Sequence, residues 1–422
     1  MFTNYEEALQ YLYSTAPEFQ RIGAAAYKAD LNNTIELLAA VGNPEKKFRS
    51  VHIAGTNGKG SSSHMIASIL QSAGYKTGLY TSPHLKEFTE RIRIDGKEVA
   101  KEFVVDFVNR TLPSIERIKP SFFEITVAMA FEYFATQKVD IAVIEVGLGG
   151  RLDSTNVITP LVSLITNISF DHKDLLGDTL QKIAFEKAGI IKRGIPVVVS
   201  ERQAETYSVF VEKSKEENAA ITFASDSVSA RLDGDNLVTD DFEVRGFPLR
   251  GIYQEKNVPG VLKTIEILNQ KSFKIGTSSI IEGLRNVVSN TGLKGRWQTI
   301  GESPLTICDT GHNEAGIAQV LRQILREKFS RLFMVIGMVK DKDISGVLSQ
   351  LPKDATYIFC QASIPRALPA GELAELARSF GLKGAAISDV NDAIAAARKS
   401  ASPDDLVFVG GSTFVVAEID NL

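Results

Sequence analysis

The segment AGTNGKGSSS, residues 54–63, brings three glycines, a lysine and a run of hydroxyls into ten positions. That set suits a polyphosphate. Gly55, Gly58 and Gly60 let the backbone turn tightly and bring its N–H groups close to an anion, and Lys59 adds a point charge. The string lies between the β-branched run VHIA (51–54) and an amphipathic stretch, so a helix N-terminus is expected to point at the same anion. It departs from the general phosphate-loop pattern: Ile53 stands where the first glycine belongs, and Gly60 separates Lys59 from the hydroxyls of Ser61 and Ser62. The phosphate chemistry needs neither feature.

A bound nucleotide requires Mg²⁺, held by one or two oxygen ligands with water and phosphate completing the octahedron. Acids at the carboxyl ends of neighbouring parallel strands are where to look. Glu145 is one, near the end of IAVIEV (141–146), in a run otherwise too apolar to tolerate an unpartnered charge. The loop that follows, VGLGGRLDSTN (146–156), is not a dinucleotide site, because Leu152 takes the place of the third glycine and no helical pattern follows. With Arg151 and Asp153 in it, the loop suits the wall of a substrate pocket. On residue chemistry alone, His172 in NISFDHKD reads more readily as a hydrogen-bonded structural histidine than as a ligand, since imidazole is an uncommon Mg²⁺ ligand. Ser82 in YTSPHL reads as a turn serine.

These residues need a scaffold. With 422 residues, the chain is expected to form two to three domains, and 44% hydrophobic with 23% charged residues is the composition of a packed globular protein. A net charge of −4 supplies no basic field for nucleic acid, and no run approaches the roughly 18 apolar residues of a membrane helix. The N-terminus, MFTNYEEALQYLY, carries acids where a signal peptide has a basic segment, and Cys308 and Cys360 lie in apolar runs that read as buried strands. A cytoplasmic protein is expected, with no sequence feature that demands a partner chain, so a monomer.

From residue 50 to about 200, the runs VHIA, IAVIEV, LVSLIT (161–166) and PVVVS (196–200) alternate with helical patterns at 61–74, 123–135 and 179–192. This alternation predicts an α/β doubly wound, parallel sheet. Residues 219–250 change character, with the turn residues of RLDGDNLVTDD, and predict a small antiparallel β annex. A helix pair over 255–290 and the boundary cluster SNTGLKGRWQTI follow. A second α/β series then has strands at 305–309, 331–337, 356–361 and 406–411. Two domains are expected, 1–296 and 297–422.

Nine strings in order carry a resemblance: GTNGKGS (55–61), YTSPHL (80–85), ERIRI (90–94), FFE (122–124), EVGLGGRLDSTN (145–156), DH (171–172), EKAGIIK (186–192), LKGRWQ (293–298) and DTGHNEAG (309–316). Together they resemble the folylpolyglutamate synthase and dihydrofolate synthase family of the Mur ligase superfamily. The resemblance implies a phosphate-loop ATPase domain and a smaller Rossmann-like α/β C-terminal domain. It also implies ATP-dependent amide formation. A carboxylate, that of dihydropteroate or of the terminal glutamate of a reduced folate, is phosphorylated, and the acyl phosphate is attacked by the amine of L-glutamate.

By motif position, Gly55, Thr56, Asn57, Gly58, Lys59, Gly60 and Ser61 are implied to hold the triphosphate, and Ser82, Glu145 and His172 to ligate Mg²⁺. Asn257, Arg296, Asp309 and His312 are implied ATP contacts. Lys187, in EKAG, is implied to be carbamylated and, with Lys59, Glu145 and His172, to serve catalysis. Ser121, Phe122, Phe123 and Glu124 match the segment that binds the pterin end, and Arg151 and Leu152 lie in the loop expected to wall the substrate. FFEITVAMAF reads equally as the buried start of a helix. At GAAAYKADL (23–31) the chain departs from a GLGR-like segment of its relatives, so no substrate contact is carried over there, although residues 23–28 are expected near the substrate. The chemistry needs no protein nucleophile, and the chain shows no Ser-His-Asp or Cys-His arrangement.

A Mur-type ligase of cell-wall precursors is the nearest alternative, but such enzymes place a UDP-binding domain ahead of the phosphate loop, where this sequence has 54 residues. A nucleotide-binding switch of the GTPase kind is the alternative from another class. It lacks support in an NKxD-type string and leaves the second α/β series unexplained.

Overall fold

A computed structural model describes residues 1–16, 30–340, 342–420 and 422. Most of the 23–31 segment therefore lies outside the described residues. By its contacts the chain forms two units: Met1–Ser169 with Lys173–Pro248 and Gln254–Leu293, and Phe170–His172 with Leu249–Tyr253 and Lys294–Leu422.

The first unit is built on an eight-stranded sheet. Its strands are β1 (Ser50–Ala54), β2 (Thr77–Tyr80), β3 (Ile92–Ile94), β4 (Lys97–Glu98), β5 (Ile141–Glu145), β6 (Val162–Ile165), β7 (Val197–Val199) and β8 (Ile221–Phe223), in the order β4-β3-β2-β5-β1-β6-β7-β8. The strands from β2 to β8 in that order run parallel, and β3 and β4 extend the edge antiparallel. Every residue of β1, β5 and β6 is buried, because helices cover both faces of the sheet. The chain leaves β1 toward β2 and β5 on one side and later reaches β6 on the other. The carboxyl end of β1 is thus the place where an open α/β sheet opens a crevice.

Two expectations need correction here. The run ITF at 221–223 does not belong to the β annex. It is β8, which pairs parallel with β7 after a crossover through helix Tyr207–Glu216, the connection a parallel pair requires. The annex is only β9 (Ala230–Asp233), β10 (Asn236–Thr239) and β11 (Glu243–Val244), antiparallel throughout. The helix pair over 255–290 is three helices, Gln254–Gln270, Thr277–Arg285 and Val287–Thr291, the last ending on Gly292 in the left-handed region. Helices Gln254–Gln270 and Thr277–Arg285 cover helix Lys59–Ser72, whose residues from Ser61 to Leu70 are all buried.

The second unit holds a six-stranded sheet of β12 (Gln298–Glu302), β13 (Leu305–Cys308), β14 (Leu332–Ile336), β15 (Thr356–Phe359), β16 (Gly384–Ala386) and β17 (Leu406–Gly410), ordered β12-β13-β17-β14-β15-β16. All pairs are parallel except β12 with β13. Met334, Ile336 and Phe408 pack into one apolar layer, and Val335, Val407 and Val409 into another, as the period-2 alternation of strands demands. Cys308 and Cys360 are buried and form no disulfide. Among the described residues no helix is long and apolar enough to cross a membrane.

Candidate functional site

The phosphate loop leaves the carboxyl end of β1 and enters helix Lys59–Ser72 at Gly58. Gly55 has φ +145, and a Cβ there would lie 1.8 Å from Thr166 Oγ1, so only glycine fits. The loop is laced to the end of β6. Thr56 N donates to Asn167 O at 2.8 Å, Asn57 N to Asn167 Oδ1 at 3.1 Å, and Thr166 Oγ1 to Asn57 O at 2.6 Å. Thr56 Oγ1 donates to Ser169 O and accepts from Ser169 N. With these loop carbonyls and side chains engaged, the remaining donors of the helix N-terminus define an anion cradle. Lys59 Nζ folds back onto Gly55 O and Thr56 O, at 3.1 and 3.2 Å. Gly60 lies inside the helix. Asn257 packs beside the loop, since a Cβ on Gly58 would sit 2.2 Å from its Oδ1. Asn257 Nδ2 donates to Gln254 Oε1, and Gln254 Nε2 donates to Ser61 Oγ.

Glu145 closes β5, one strand from β1, and is buried. Its Oε2 accepts from Ser82 N at 3.3 Å. Ser82 Oγ is buried with no hydrogen-bond partner among the described residues. An anionic oxygen beside an unsatisfied hydroxyl is the hard-oxygen donor set that a divalent cation such as Mg²⁺ takes, so Ser82 and Glu145 fit a metal. Among the described residues no group of three or more His, Cys, Asp or Glu side chains could hold one. Lys187, near the end of helix Leu180–Ala188, is buried, and its Nζ donates to Gly55 O at 2.9 Å. The structure thus brings Lys59 and Lys187 to the same carbonyl.

The 146–156 loop packs onto that helix. Arg151 N donates to Glu186 O at 2.7 Å, and the Arg151 guanidinium pairs with Glu186 Oε1 at 2.9 Å, with its side chain partly exposed. Leu152 lies in the same turn, half-buried. Asp153 is buried and accepts from Leu148 N and from both the N–H and the hydroxyl of Thr155.

The segment 121–124 divides by role. Ser121 Oγ accepts from Glu124 N at 3.3 Å, and Glu124 Oε2 accepts from Ser121 N at 2.5 Å, the reciprocal capping box of helix Phe122–Thr136. Phe122 is a core residue, stacked on Tyr13 at 5.1 Å with Phe88 at its edge and the Arg91 guanidinium over its ring. Phe123 alone stays half-buried, lying over Gly147, where a Cβ would meet its ring at 2.5 Å.

In the second unit Asp309, just past β13, is buried with both oxygens engaged. Tyr253 OH donates to Oδ2 at 2.6 Å, Trp297 N to Oδ2 at 2.7 Å, and Gly311 N to Oδ1 at 2.8 Å. Burial raises its pKa against these donors, and Tyr253 is pushed well above the ordinary phenol range by burial and by Asp309. Arg296 donates to Thr310 Oγ1 and to Gly295 O.

A further cluster centres on Asp171. Lys342 Nζ lies 2.5 Å from Oδ1, His312 Nε2 3.4 Å from Oδ2, and Asn313 Nδ2 donates to Oδ2 at 3.2 Å. Burial opposes ionisation of Asp171, but the His312 hydrogen bond and the charges of His172, Lys342 and His312 outweigh it and hold the carboxyl well below its usual range. His172 groups with this unit rather than with Ser82 and Glu145, and its Nε2 lies 3.3 Å from Lys342 Nζ. Sequence reasoning missed Asp171, Lys342 and Tyr253, although DHKD and KDKD carried a charge-alternating signal. It also missed Thr166, Asn167 and Ser169, which carried none.

The Mur ligase middle domain profile matches residues 53–260, and the Mur ligase glutamate ligase domain profile matches residues 295–413. The chain is 33% identical over 439 residues to the dihydrofolate synthase/folylpolyglutamate synthase of Bacillus subtilis, covering 99% of each. Its structure is similar to that of Escherichia coli FolC in complex with DHPP and ADP, at TM-score 0.84 and 28% identity over 98% of this chain and 96% of that one. It is also similar to a bifunctional folylpolyglutamate synthase/dihydrofolate synthase with Mn, AMPPNP and L-glutamate bound, at TM-score 0.83 and 28% identity, covering 98% and 97%. With both domain profiles matched and a relative of this identity along its whole length, the chain belongs to the folylpolyglutamate synthase and dihydrofolate synthase family of ATP-dependent ligases.

Proposed function

We infer that the chain joins L-glutamate to dihydropteroate, to the terminal glutamate of a reduced folate, or to both, with ATP cleaved to ADP and phosphate. The observation that carries this reading is the conjunction, within one unit, of a phosphate loop on β1 and a buried carboxylate on the adjacent β5, paired with a serine just after β2. The relatives described in complex with ADP and DHPP, and with AMPPNP, Mn and L-glutamate, support the choice of substrates.

In this reading the substrate carboxylate attacks the γ-phosphorus and ADP leaves. The glutamate amine then attacks the acyl carbon, the tetrahedral adduct collapses, and phosphate departs. Every species between substrate and product is anionic where bonds change, so Lys59 and the N–H groups of the loop stabilise charge rather than supply a nucleophile. Ser82 and Glu145 hold the divalent metal, Mg²⁺, which when bound neutralises phosphate charge. On the motif match, His172 is assigned to the metal as well, and Asn257, Arg296, Asp309 and His312 to ATP. Asp309, with both oxygens filled, acts by fixing the backbone of Trp297, next to Arg296. Phe123 is the ring assigned to the pterin, since Ser121 and Glu124 cap a helix and Phe122 is in the core. The EKAG match assigns carbamylation to Lys187, and the buried position of its Nζ against Gly55 O supports a role beside the phosphates. Arg151, tied to Glu186, and Leu152 wall the substrate loop. Two buried thiols support a reducing, cytoplasmic setting.

Purified protein is expected to release ADP only when both a pteroate or folate and L-glutamate are present, with dihydropteroate and a reduced folate assayed side by side. Brisk ATP hydrolysis without either, or ADP release driven by a UDP-linked precursor, overturns the reading.

A further inference from the structure

His52 is wholly buried on β1, and the chemistry above makes no use of it. Its Nε2 lies 2.9 Å from Thr155 Oγ1. A threonine hydroxyl has one proton, and that proton points at Asp153 Oδ1, 2.5 Å away. Burial pushes the Asp153 pKa up, but its oxygens also accept the N–H groups of Thr155 at 3.0 Å and Leu148 at 2.8 Å, bonds that favour the carboxylate, so Asp153 is taken as the acceptor in that pair. Thr155 Oγ1 must therefore accept from the ring, which makes His52 the imidazole protonated on Nε2. Its Nδ1 is buried without a hydrogen-bond partner among the described residues. Burial, and secondarily the charge of Lys192, pushes the His52 pKa down to about 3, so the ring is neutral at physiological pH.

What this chain of donors holds is the loop between the proposed metal carboxylate and Lys187. Leu148 follows Glu145 by three residues, and Gly147 lies directly under the Phe123 ring. At the other end Arg151 N binds Glu186 O, next to Lys187. We propose that His52 is a positioning residue, a neutral Nε2 donor that orients the Thr155 hydroxyl so that Asp153 clamps the 147–148 peptides and thereby sets Glu145 and the seat of Phe123. The inference rests on the ligase reading for the meaning of those two residues.

The test compares His52→Leu, which removes the donor, with His52→Gln, whose amide nitrogen reaches the place of Nε2. Free Mn²⁺ is titrated by electron paramagnetic resonance in the presence of AMPPNP, and KM for the pteroate or folate substrate is measured alongside. The leucine variant is expected to bind Mn²⁺ about tenfold more weakly, the scale of losing an outer partner of a metal ligand, and to raise that KM. The glutamine variant should restore both to within about twofold of the parent. Unchanged Mn²⁺ affinity in His52→Leu, or His52→Gln as weak as His52→Leu, overturns the proposal. Where circular dichroism shows a His52 variant unfolded, Thr155→Val against Thr155→Ser decides the question on the same readouts. Absence of glutamate-dependent ADP release in the parent protein refutes the ligase reading, while the Mn²⁺ titration still reports on the relay.

Discussion

Among the described residues Lys59 has no carboxylate partner: its ammonium rests on the carbonyls of Gly55 and Thr56, from which it can turn to a phosphate without breaking an ion pair. Charge stabilisation is thereby available at small reorganisation cost, the condition under which a fixed cation contributes most to a transition state. Lys59→Ala is expected to lower turnover at least about a hundredfold, the scale of one removed oxyanion donor. Its circular dichroism and thermal midpoint should stay near those of the parent, because the ammonium bonds only loop carbonyls among the described residues. Near-normal turnover would remove Lys59 from the chemistry. Asp309 is the contrasting residue. Its three internal donors fit the shaping role proposed for it, which its type alone, an acid in a DTGHN string, does not reveal.

At the scale of the element, β1 carries two kinds of function at once. Its carboxyl end launches the phosphate loop, and one residue before Ile53 its His52 holds the loop that follows β5, the strand beside it. That histidine also sets an acid limit. Its folded pKa of about 3 is below the unfolded value of about 6.5, so between those values the unfolded chain binds the extra proton, and stability falls as pH falls. Well above the unfolded pKa this loss is absent. Between pH 7 and pH 5 the parent protein should lose about 2 kcal/mol more unfolding free energy than His52→Gln, which has no such group to protonate. Urea unfolding of the two proteins at both pH values measures this. Parallel losses would mean that the ring is not held neutral.

For the whole molecule, a charge of −4 must coexist with substrates that are all anions. On the assignment proposed above, binding rests on local donors, Lys59, Arg296 and a helix N-terminus, rather than on a surface field. Stability should then be coupled to nucleotide. Mg²⁺ with AMPPNP at a hundredfold excess over its Kd is expected to stabilise the protein by about 2.7 kcal/mol, seen as a raised thermal midpoint. A midpoint unmoved by Mg²⁺ and AMPPNP would contradict nucleotide binding by the folded chain.

The sequence by itself determined the doubly wound sheet and the phosphate loop. Strands buried on both faces write themselves as continuous apolar runs, as in β1, β5 and β6, and glycines with a lysine between strand and helix are a local signal. Ordered motifs determined the family. Only the tertiary structure decided what depends on partners distant in sequence or on weakly patterned edges. The edge strands β12 and β16 are half-exposed or exposed and short, so no run announces them, and β8 joins the main sheet only because β7 offers it an edge. Phe122 and Phe123 are identical in type and adjacent, yet helix geometry sends one into the core and leaves the other over Gly147. Thr166, Asn167 and Ser169 meet the phosphate loop, and Thr155 meets His52, across more than a hundred residues of chain. A hydrogen bond of that span leaves no period or spacing in the sequence, because the sheet, not the local chain, brings its two ends together.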